Sequence, residues 1–492
     1  MADHATRQIL RHLDKLFIDG AWVAPQSGRQ ITVLAPATEE VFLTVAEADV
    51  ADIDRAVAAA RKAFDDGPWP RLTHAQRAGY LRGLADGLDA RAADIAEIWP
   101  NEMGILHSIA DAFASTIGGV YRCYAGLADT FAFEERFDHP PGGGDYALIA
   151  YEAVGVVGAI VPWNAPVNIT AYKVAPALLA GCTIVLKLPP EAPGTGYILA
   201  EIAEAIGLPA GVLNVLTADR AASERLVRHP DVDKIGFTGS SAVGKRIASI
   251  CGERVARCTL ELGGKSAAII LDDYDVATAA QSLAGSATAM TGQICSALTR
   301  VIVTRNRHDD LVEALKANFE KIAIGDPFDA ATGMGPLAMG RQRDKVEEMV
   351  GQAVRDGNQL VTGGRRPARL NRGFFFEPTI FAHVDNDDMI AREEIFGPVL
   401  AAIPADDEDH AVRLANDTVF GLNNSVFTRD SDRAYAVARQ LRSGTVGHNS
   451  WRSDMSIGFG GFKQSGIGRE GGPNGLRAYL EPKTIIMQNP AE

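Results

Sequence analysis

This sequence has no excess of basic residues. It contains 48 Lys+Arg against 62 Asp+Glu, which gives a formal net charge of −14. Because a phosphate backbone demands a basic face, this balance argues against a general nucleic-acid binder and against adhesion to an anionic membrane. No stretch approaches the ~18 uninterrupted apolar residues of a membrane span, and the N-terminus lacks the apolar core of a secretory signal. We therefore expect no nucleic-acid or membrane partner and a cytoplasmic location.

Cysteine is also scarce, with five residues and no CxxC pair. Without closely spaced Cys/His ligands the sequence predicts no metal site, and the odd count predicts reduced thiols. Cys123, Cys182, Cys251 and Cys258 stand in helix or strand contexts and are predicted to be structural. The 492 residues are 47% hydrophobic and 22% charged, which is ordinary for a globular protein of about three domains.

Short β-branched runs alternate with helical stretches from Tyr151 onward. This alternation predicts an α/β fold with parallel strands and right-handed crossovers. Before it, IDGAWV predicts a hairpin, and an apolar helical stripe follows Val50 with Asp52 as its N-cap. A second helix is predicted over 73–88. The HPPGGGD run that begins at His139 breaks regular structure, and extended segments flank it.

Two motifs stand at the ends of predicted strands and suit ligand binding. GFTGSSAVGKRIA follows one strand and opens a helix, where the backbone N–H groups of Gly239 and Ser240 would meet a phosphate. Lys187 ends the strand TIVLK, at the edge where parallel sheets bind ligands. A plain strand–turn–helix joint and a surface strand terminus explain the same patterns, so both interpretations remain open.

Three further residues suit covalent catalysis. Glu261, before the Gly pair of ELGGK, is placed as a general base, although a hinge glutamate would look the same. Cys295 lies among small and polar residues in TGQICSALTR, where a tight bend into a helix start would favour its thiolate; the alternative is an inert core cysteine. Asn164, between the prolines of VPWNAP, suits an oxyanion hole or an ordinary Asx turn.

Taken in order, the motifs VPWN, KxxPE, GFTGS, ELGGK, GQxC, EEIFGPV and GGFKQSGIGRE resemble the aldehyde dehydrogenase superfamily, from FIDGAWV to LEPKTI. The resemblance implies an α/β fold with a Rossmann-type dinucleotide-binding domain, an α/β catalytic domain and a small β oligomerisation arm. The first comprises residues 1–124 and 149–260. The second covers 261–447 and extends to about 472. The arm comprises 125–148 and 473–492, and the expected assembly is a homodimer or homotetramer.

The same resemblance implies roles for single residues. Cys295 would attack the aldehyde, passing through a thiohemiacetal and a thioester. Asn164 and the Cys295 backbone N–H would hold the oxyanion, and Glu261 would activate the hydrolytic water. Lys173 and Glu470 would relay protons from that base. Because relatives that transfer the acyl group to coenzyme A generally lack an acid at the position of Glu261, its presence favours the free carboxylic acid as product.

NAD is the expected cofactor, with NADP left open. Where relatives carry Lys-Pro-Ser-Glu, this sequence has Lys187-Leu188-Pro189-Pro190-Glu191, so Pro190 replaces the acid that commonly holds the adenosine ribose and Glu191 follows it. The implied cofactor-binding residues are Ile160, Val161, Pro162, Trp163, Lys187, Gly239, Ser240, Gly244, Leu262, Glu394 and Phe396.

The sequence indicates less about the substrate pocket than about the cofactor site. The implied pocket residues are Ala165, Tyr172, Ile294, Ser296, Arg452 and Phe459. Ala165 replaces a frequent large aromatic and suggests a wide entrance for a bulky aldehyde, while Arg452 is either a clamp for an anionic substrate or a solvated loop residue. Asn449 would support the site. A cysteine esterase and a non-catalytic protein of the same fold are the competing functions.

Overall fold

The larger of two main sheets has eight strands and a parallel centre. The computed structural model describes residues 9–488. In spatial order the sheet contains β19 (Gly466–Ile467), β11 (Arg257–Glu261), β10 (Lys234–Thr238), β7 (Val156–Ile160), β8 (Thr183–Leu188), β9 (Leu213–Thr217), β1 (Leu16–Ile18) and β2 (Ala21–Val23). The five strands from β11 to β9 are parallel, and the others pair antiparallel at the two edges. β1 and β2 form the predicted hairpin.

The second main sheet has seven strands, six of them parallel. It contains β14 (Gln359–Thr362), β15 (Thr379–Ala382), β16 (Val399–Ala405), β13 (Leu298–Thr304), β12 (Ser266–Ile270), β17 (Asn423–Phe427) and β18 (Thr445–His448). Only β14 pairs antiparallel. Both sheets are apolar through their centres because helices cover them, which confirms the α/β expectation.

Two smaller antiparallel sheets complete the strands. One pairs β3 (Gln30–Leu34) with β4 (Val41–Ala46), and the other has the order β20 (Leu480–Met487), β6 (Tyr146–Ala153), β5 (Glu134–Asp138). The HPPGGGD run is the turn between β5 and β6. β6 crosses the predicted domain boundary at 148/149, and the predicted domain division remains a proposal. Residues 1–8 and 489–492 of the predicted domains lie outside the described residues.

Helices connect and cover the strands. They are Val50–Asp65, His74–Ala90, Ala92–Met103, His107–Ala114, Ile117–Thr130, Pro166–Ala180, Gly194–Ala205, Arg220–Arg228, Ser241–Glu253, Val276–Thr288, Arg305–Phe319, Gly340–Arg355, Met389–Arg392, Glu408–Asn416, Ser431–Ala438 and Gly472–Arg477, with 3-10 turns at Trp69–Arg71, Ala289–Gly292 and Lys463–Ser465. No helix of the described chain is long and apolar enough to cross a membrane.

The predicted N-cap of the first of these helices is wrong by one turn. Asp49, not Asp52, caps the helix, and its side chain accepts from the Ala51 and Asp52 backbone N–H groups. Asp52 occupies the third helical position, where its carboxylate returns a hydrogen bond to the Asp49 N–H and completes a capping box. Both aspartates suit the sequence pattern, and only the reciprocal geometry separates their roles.

The predicted structural cysteines differ in burial. Cys182 and Cys251 are buried, and Cys258 is half-buried against the same core as Cys251. Cys123 lies on a helix, as predicted, but it is exposed and does not fill a core position. A helix this close to the surface has one face in water, and the frequent burial of cysteine does not decide which face a given residue occupies.

Candidate active site

A groove of about 450 Å³ opens at the carboxyl ends of β7, β8 and β10. In parallel sheets this edge is where ligands bind, because the crossover loops leave a crevice there. The predicted cofactor-binding residues that line it are Ile160, Val161, Pro162, Trp163, Lys187, Gly239 and Ser240. The sequence thus located the groove through the ends of its strands.

A second cavity, of about 180 Å³, adjoins this groove and shares Pro162, Trp163, Thr238, Gly239 and Ser240 with it. The predicted residues that line it beyond the shared ones are Asn164, Glu261, Leu262, Cys295, Glu394 and Phe396. Three groups suited to covalent chemistry, a thiol, a carboxyl and an amide, therefore meet in one small space.

The loop that carries Cys295 is built from left-handed backbone rather than from a helix start. Met290, Thr291 and Gly292 have φ values of 49°, 56° and 72°. Cys295 then leads through a turn into β13, so the predicted helix start at the thiol is wrong. Consecutive left-handed residues that are not all glycine are costly, and they cluster at sites where the surrounding structure enforces them.

Gly292 is the residue of this loop that tolerates no side chain. A Cβ there would lie 2.2 Å from the Gly397 carbonyl oxygen, at a backbone φ of 72°. We expect Gly292→Ala to lower stability by roughly 1–3 kcal/mol and to reduce turnover by displacing Cys295. Thermal unfolding and steady-state kinetics check this. Gly285→Ala, where the added Cβ meets nothing within 4 Å, is the matched control and should leave both nearly unchanged.

The Cys295 thiol is held in its neutral form. Burial, followed by the nearby Glu394 and Glu261 carboxyls, raises the pKa of Cys295 to about 12. A thiol with such a pKa is a weak nucleophile until ligands or proton transfer change its surroundings. Proximity to Glu261 and Asn164, rather than a helix terminus, is what the site offers this sulfur.

Asn164 is aimed by the loop opposite it. Its Nδ2 donates to the Gln293 carbonyl oxygen at 3.0 Å, and its own backbone carbonyl accepts from Trp99 Nε1 at 3.2 Å. One N–H of the amide is thereby fixed and the other remains for a ligand. The buried Gln293 side chain bridges Met290 O and the Ala338 N–H, so Gln293 ties the nucleophile loop to its neighbours. No role at the site was predicted for Gln293, although the GQxC motif contains it.

Glu261 ends β11 and is almost fully buried, with both carboxyl oxygens lacking a hydrogen-bond partner. Burial, and next the Glu470 carboxylate, raises the pKa of Glu261 well above its usual range, while Lys173 opposes this shift. Lys173 and Glu470 form a buried ion pair beside it, outside the cavity lining. A buried carboxyl without partners is expensive, and such groups are frequent at catalytic sites.

Glu394 and Phe396 border the cavity from the opposite sheet. The Gly264 N–H donates to Glu394 Oε1 at 3.2 Å, and a Cβ on Gly263 would lie 2.3 Å from Glu394 Oε2. Gly263 thus leaves room for the Glu394 carboxylate, and a Cβ on Gly264 would lie 2.5 Å from the Cys295 carbonyl oxygen. Burial raises the pKa of Glu394 to about 7. Phe396 meets Trp163 edge to face, with ring centroids 5.4 Å apart.

Gln342, also absent from our sequence expectations, holds this segment in place. It donates to the carbonyl oxygens of Ile395 and Phe396 at 3.1 and 2.8 Å. No local motif marks it, because it lies on the helix Gly340–Arg355, away in sequence from both partners. It lines the smaller cavity.

The groove fits a dinucleotide. Ser240 is the N-cap of the helix Ser241–Glu253, and its side chain makes no capping bond, which leaves the hydroxyl for a phosphate at that helix end. Thr238 Oγ1 is buried without a partner in both cavity linings. Lys187 is buried at the groove, and burial lowers the pKa of its ammonium to about 8. An anion would satisfy all three groups.

Gly244 is the exception among the predicted cofactor residues. It lines neither cavity, because its Cα faces inward from the helix, where a Cβ would lie 2.4 Å from Leu262 Cδ2. It brings the helix close to Leu262 and does not itself reach the groove. The prediction that Gly244 binds the cofactor directly is therefore not supported by its position.

Glu191 lines the groove but is already paired. Its carboxylate forms an ion pair with Arg341 of the helix Gly340–Arg355. Pro190 beside it offers no carboxylate. Pro190 stands where relatives carry the acid that commonly holds the adenosine ribose. The carboxylate beside it is that of Glu191, and the Arg341 guanidinium neutralises its charge.

The six predicted substrate-pocket residues line neither cavity. Ala165, Tyr172 and Ile294 are half-buried and pack against the core beside the VPWN loop. Trp451 Nε1 donates to Ser296 O and Oγ, while Arg452 is exposed and Phe459 is buried in a bridge with Glu470. Asn449 Oδ1 accepts from the Thr428 N–H, a supporting contact.

Comparison with known proteins agrees with this geometry. Residues 22–485 match the model of the aldehyde dehydrogenase family. A geranial dehydrogenase from Castellaniella defragrans is 41% identical over 473 residues, which cover 96% of this chain and 98% of that protein. A 3-succinoylsemialdehyde-pyridine dehydrogenase from a Pseudomonas species is 40% identical over 482 residues, 97% of this chain and 99% of the relative.

Solved structures match equally well. An aldehyde dehydrogenase of Mycobacterium tuberculosis complexed with NAD+ has a TM-score of 0.94 at 42% identity, covering 97% of this chain and 99% of the other. Aldehyde dehydrogenase C of Pseudomonas syringae, a cysteine-to-alanine mutant with NAD+ and octanal, has a TM-score of 0.93 at 38% identity and covers 98% of each chain. The sheets, the cleft and these matches together show that the chain belongs to the aldehyde dehydrogenase family.

Proposed function

We propose that this enzyme oxidises an aldehyde to the carboxylic acid with NAD+, using Cys295 as nucleophile and Glu261 as the base for hydrolysis. The observation that carries the proposal is the convergence of Cys295, Glu261 and Asn164 on one cavity that adjoins a groove fitted for a dinucleotide. Neighbouring structures that contain NAD+ support this choice of cofactor.

In the first stage Cys295 Sγ bonds to the aldehyde carbon, and the thiol proton ends on the former carbonyl oxygen. The product is a thiohemiacetal. The free Nδ2 hydrogen of Asn164 and the Cys295 backbone N–H stabilise negative charge on that oxygen while it develops. Because Gln293 fixes the other Asn164 N–H, the amide needs no reorganisation during this step.

The cofactor residues are Lys187, Ser240, Glu394 and the shared lining of the two cavities. When bound, the nicotinamide would supply the acceptor for the hydride that leaves the thiohemiacetal carbon; the hydroxyl proton passes to water, and the carbon becomes that of a thioester. Trp163 and Phe396 exclude water from the adjoining wall through their edge-to-face contact.

In the second stage Glu261 takes a proton from water, and the resulting hydroxide adds to the thioester carbon. Loss of the Cys295 thiolate releases the carboxylic acid. The proton on Glu261 then has a route toward the buried pair of Glu470 and Lys173, whose charges already act on it. The raised pKa of Glu261 suits this addition of water, because a base with a pKa closer to neutral pH accepts a proton more readily.

The decisive test is reduced-nicotinamide formation with NAD+ and NADP+ separately, across aliphatic, aromatic and acid-bearing aldehydes. We expect turnover with NAD+ and a free carboxylic acid as product, identified by chromatography. Acyl-coenzyme A formed in the presence of coenzyme A in place of the free acid would contradict the hydrolytic mechanism. Ester hydrolysis without any dehydrogenase turnover would favour the cysteine esterase.

Preference for NAD+ over NADP+ should depend on Arg341. Its guanidinium neutralises Glu191, whose free carboxylate would repel a 2′-phosphate. We expect Arg341→Ala to shift the NAD+/NADP+ ratio of kcat/KM about 3–10-fold toward NAD+, a size set by the modest strength of exposed ion pairs. Arg343→Ala is the control, because Arg343 pairs with Asp344 on the same helix. A shift toward NADP+ would show that Arg341 does not act through Glu191.

The substrate approach and the assembly are parts of the same proposal. Ala165, Tyr172, Ile294 and Ser296 flank the loops of Asn164 and Cys295, which favours them as walls of the aldehyde channel.

The sheet of β5, β6 and β20 has two unpaired edges within the described chain, which suits contacts between subunits of a homodimer or homotetramer. Gel filtration with light scattering tests the assembly.

A further inference from the structure

A cluster of metal-ligating side chains lies on the seven-stranded sheet, where none of its members lines the active-site cavities. His308 Nδ1 is 2.9 Å from Asp309 Oδ1, and His383 Nε2 is 3.1 Å from the same oxygen. One ligand atom from each residue lies within 4.8 Å of the other two. We propose that His308, Asp309 and His383 bind one divalent cation of the zinc type, with water completing the coordination.

The spacing of the three ligand atoms suits tetrahedral zinc. Bonds of about 2.0–2.2 Å to nitrogen and oxygen place neighbouring ligand atoms ~3.3 Å apart. The two distances to Asp309 Oδ1, 2.9 and 3.1 Å, are close to this value, and the ligand nitrogens of the two histidines lie within 4.8 Å of each other. Two imidazoles and one carboxylate also form a donor set that zinc accepts readily.

One of the three ligands is held by packed structure. His308 is buried in the first turns of the helix Arg305–Phe319, and its ring lies 4.1 Å from that of His383, centroid to centroid. Beneath them Val312, Ala382 and Ala402 pack together, linking the helix to β15 and β16. Because His308 is fixed in this way, an ion has to order only the exposed side chains of Asp309 and His383.

The remaining nitrogen of His308 has a suitable second partner. His308 Nε2 lies 3.4 Å from the Ala402 carbonyl oxygen and also accepts the His383 backbone N–H at 3.2 Å. Coordination through Nδ1 moves the single ring proton to Nε2, where the Ala402 carbonyl accepts it, and the His383 N–H must then exchange Nε2 for water as its acceptor. Ligating histidines commonly donate their other N–H to a carbonyl in this manner.

His383 itself has an unusual backbone. Its φ is 50°, the left-handed region that non-glycine residues rarely occupy. This conformation follows directly after β15 and directs the ring back toward the helix that carries the other two ligands. No sequence pattern predicts the cluster, because His383 is 75 residues from His308 and the two lack the short Cys/His spacing of a metal motif.

Zinc titration by isothermal calorimetry tests the proposal. The Cys295→Ala protein is used, so that the active-site thiol does not bind the metal. We expect one zinc per chain, a rise in thermal midpoint on zinc addition, and at least a tenfold loss of affinity in His383→Ala and Asp309→Asn. Both residues are exposed at the surface, so these variants should fold.

His410→Ala is the matched control, since His410 pairs with Asp406 outside the cluster. Its zinc affinity should equal that of the parent. With Co²⁺ in place of zinc, the parent should show visible ligand-field bands without the sulfur-to-metal charge-transfer band that a cysteine ligand gives. Absence of saturable zinc binding, or binding that survives unchanged in His383→Ala, would overturn the proposal and leave a hydrogen-bonded triad only.

Discussion

Replacement of Cys295 by alanine is expected to reduce aldehyde oxidation by at least ~10⁴-fold while leaving cofactor binding intact. The reason is that the thiohemiacetal and thioester both need a bond to Sγ, and no other group of the smaller cavity supplies a comparable nucleophile. The groove does not include Cys295, so its affinity for NAD+ should not change.

The loss is measured as reduced nicotinamide formed from a saturating aldehyde. Cofactor binding is followed by quenching of tryptophan fluorescence, because Trp163 lines the groove. Cys182→Ala is the control, since this buried thiol lies outside both cavities. Substantial turnover in Cys295→Ala, with NAD+ binding retained, would show that the nucleophile lies elsewhere.

Glu261→Gln should produce the second large effect, a fall in kcat of about 10²–10⁴-fold with the first turnover preserved. The variant forms the thioester but lacks the base that activates water, so acyl-enzyme accumulates. Acylation should not slow, because the Glu261 charge is one of the groups that raise the pKa of Cys295. Rapid mixing should therefore show a burst approaching one reduced nicotinamide per site.

The pH dependence gives an independent check on Glu261. Because its pKa is raised, wild-type deacylation should increase with pH as the carboxyl ionises, and this rise should vanish in Glu261→Gln. The folded protein also holds a proton that the unfolded chain releases above its own lower pKa, so stability falls as pH rises between the two values. The thermal midpoint of the variant at pH 8 should thus match or exceed that of wild type. A variant with reduced kcat and no burst would instead assign Glu261 to acylation.

The sequence predicted those parts of the site that local motifs encode. Strand ends place Lys187, Ser240 and Glu261 at one edge of a parallel sheet, so their meeting follows from chain direction alone. The predicted helix start at Cys295 was wrong. Of the left-handed residues in its loop, only Gly292 is a residue type that indicates such a backbone. Met290 and Thr291 adopt it under the constraint of their surroundings, which no local pattern records.

The ion pair between Glu191 and Arg341 was not predicted either, because it also depends on residues that are distant in sequence. Glu191 and Arg341 are each ordinary surface charges in the sequence, and only the fold brings them together. Gly244 is the opposite case: it lines neither cavity, because a glycine near a phosphate-binding turn also allows close helix packing against Leu262. In each case residue type was informative, whereas the direction in which the residue points depended on distant packing.

The pairing of β19 with β11 has a consequence for biosynthesis. β11, which ends in Glu261, is bordered on its outer side by Gly466–Ile467, near the end of the chain. Ribosomes add ~5–20 residues per second, so this edge waits on the order of ten seconds or more before its partner is made. Until then a nascent chain presents an open β edge that other chains can join. Slower synthesis or lower temperature with chaperone capacity in excess should therefore favour soluble yield.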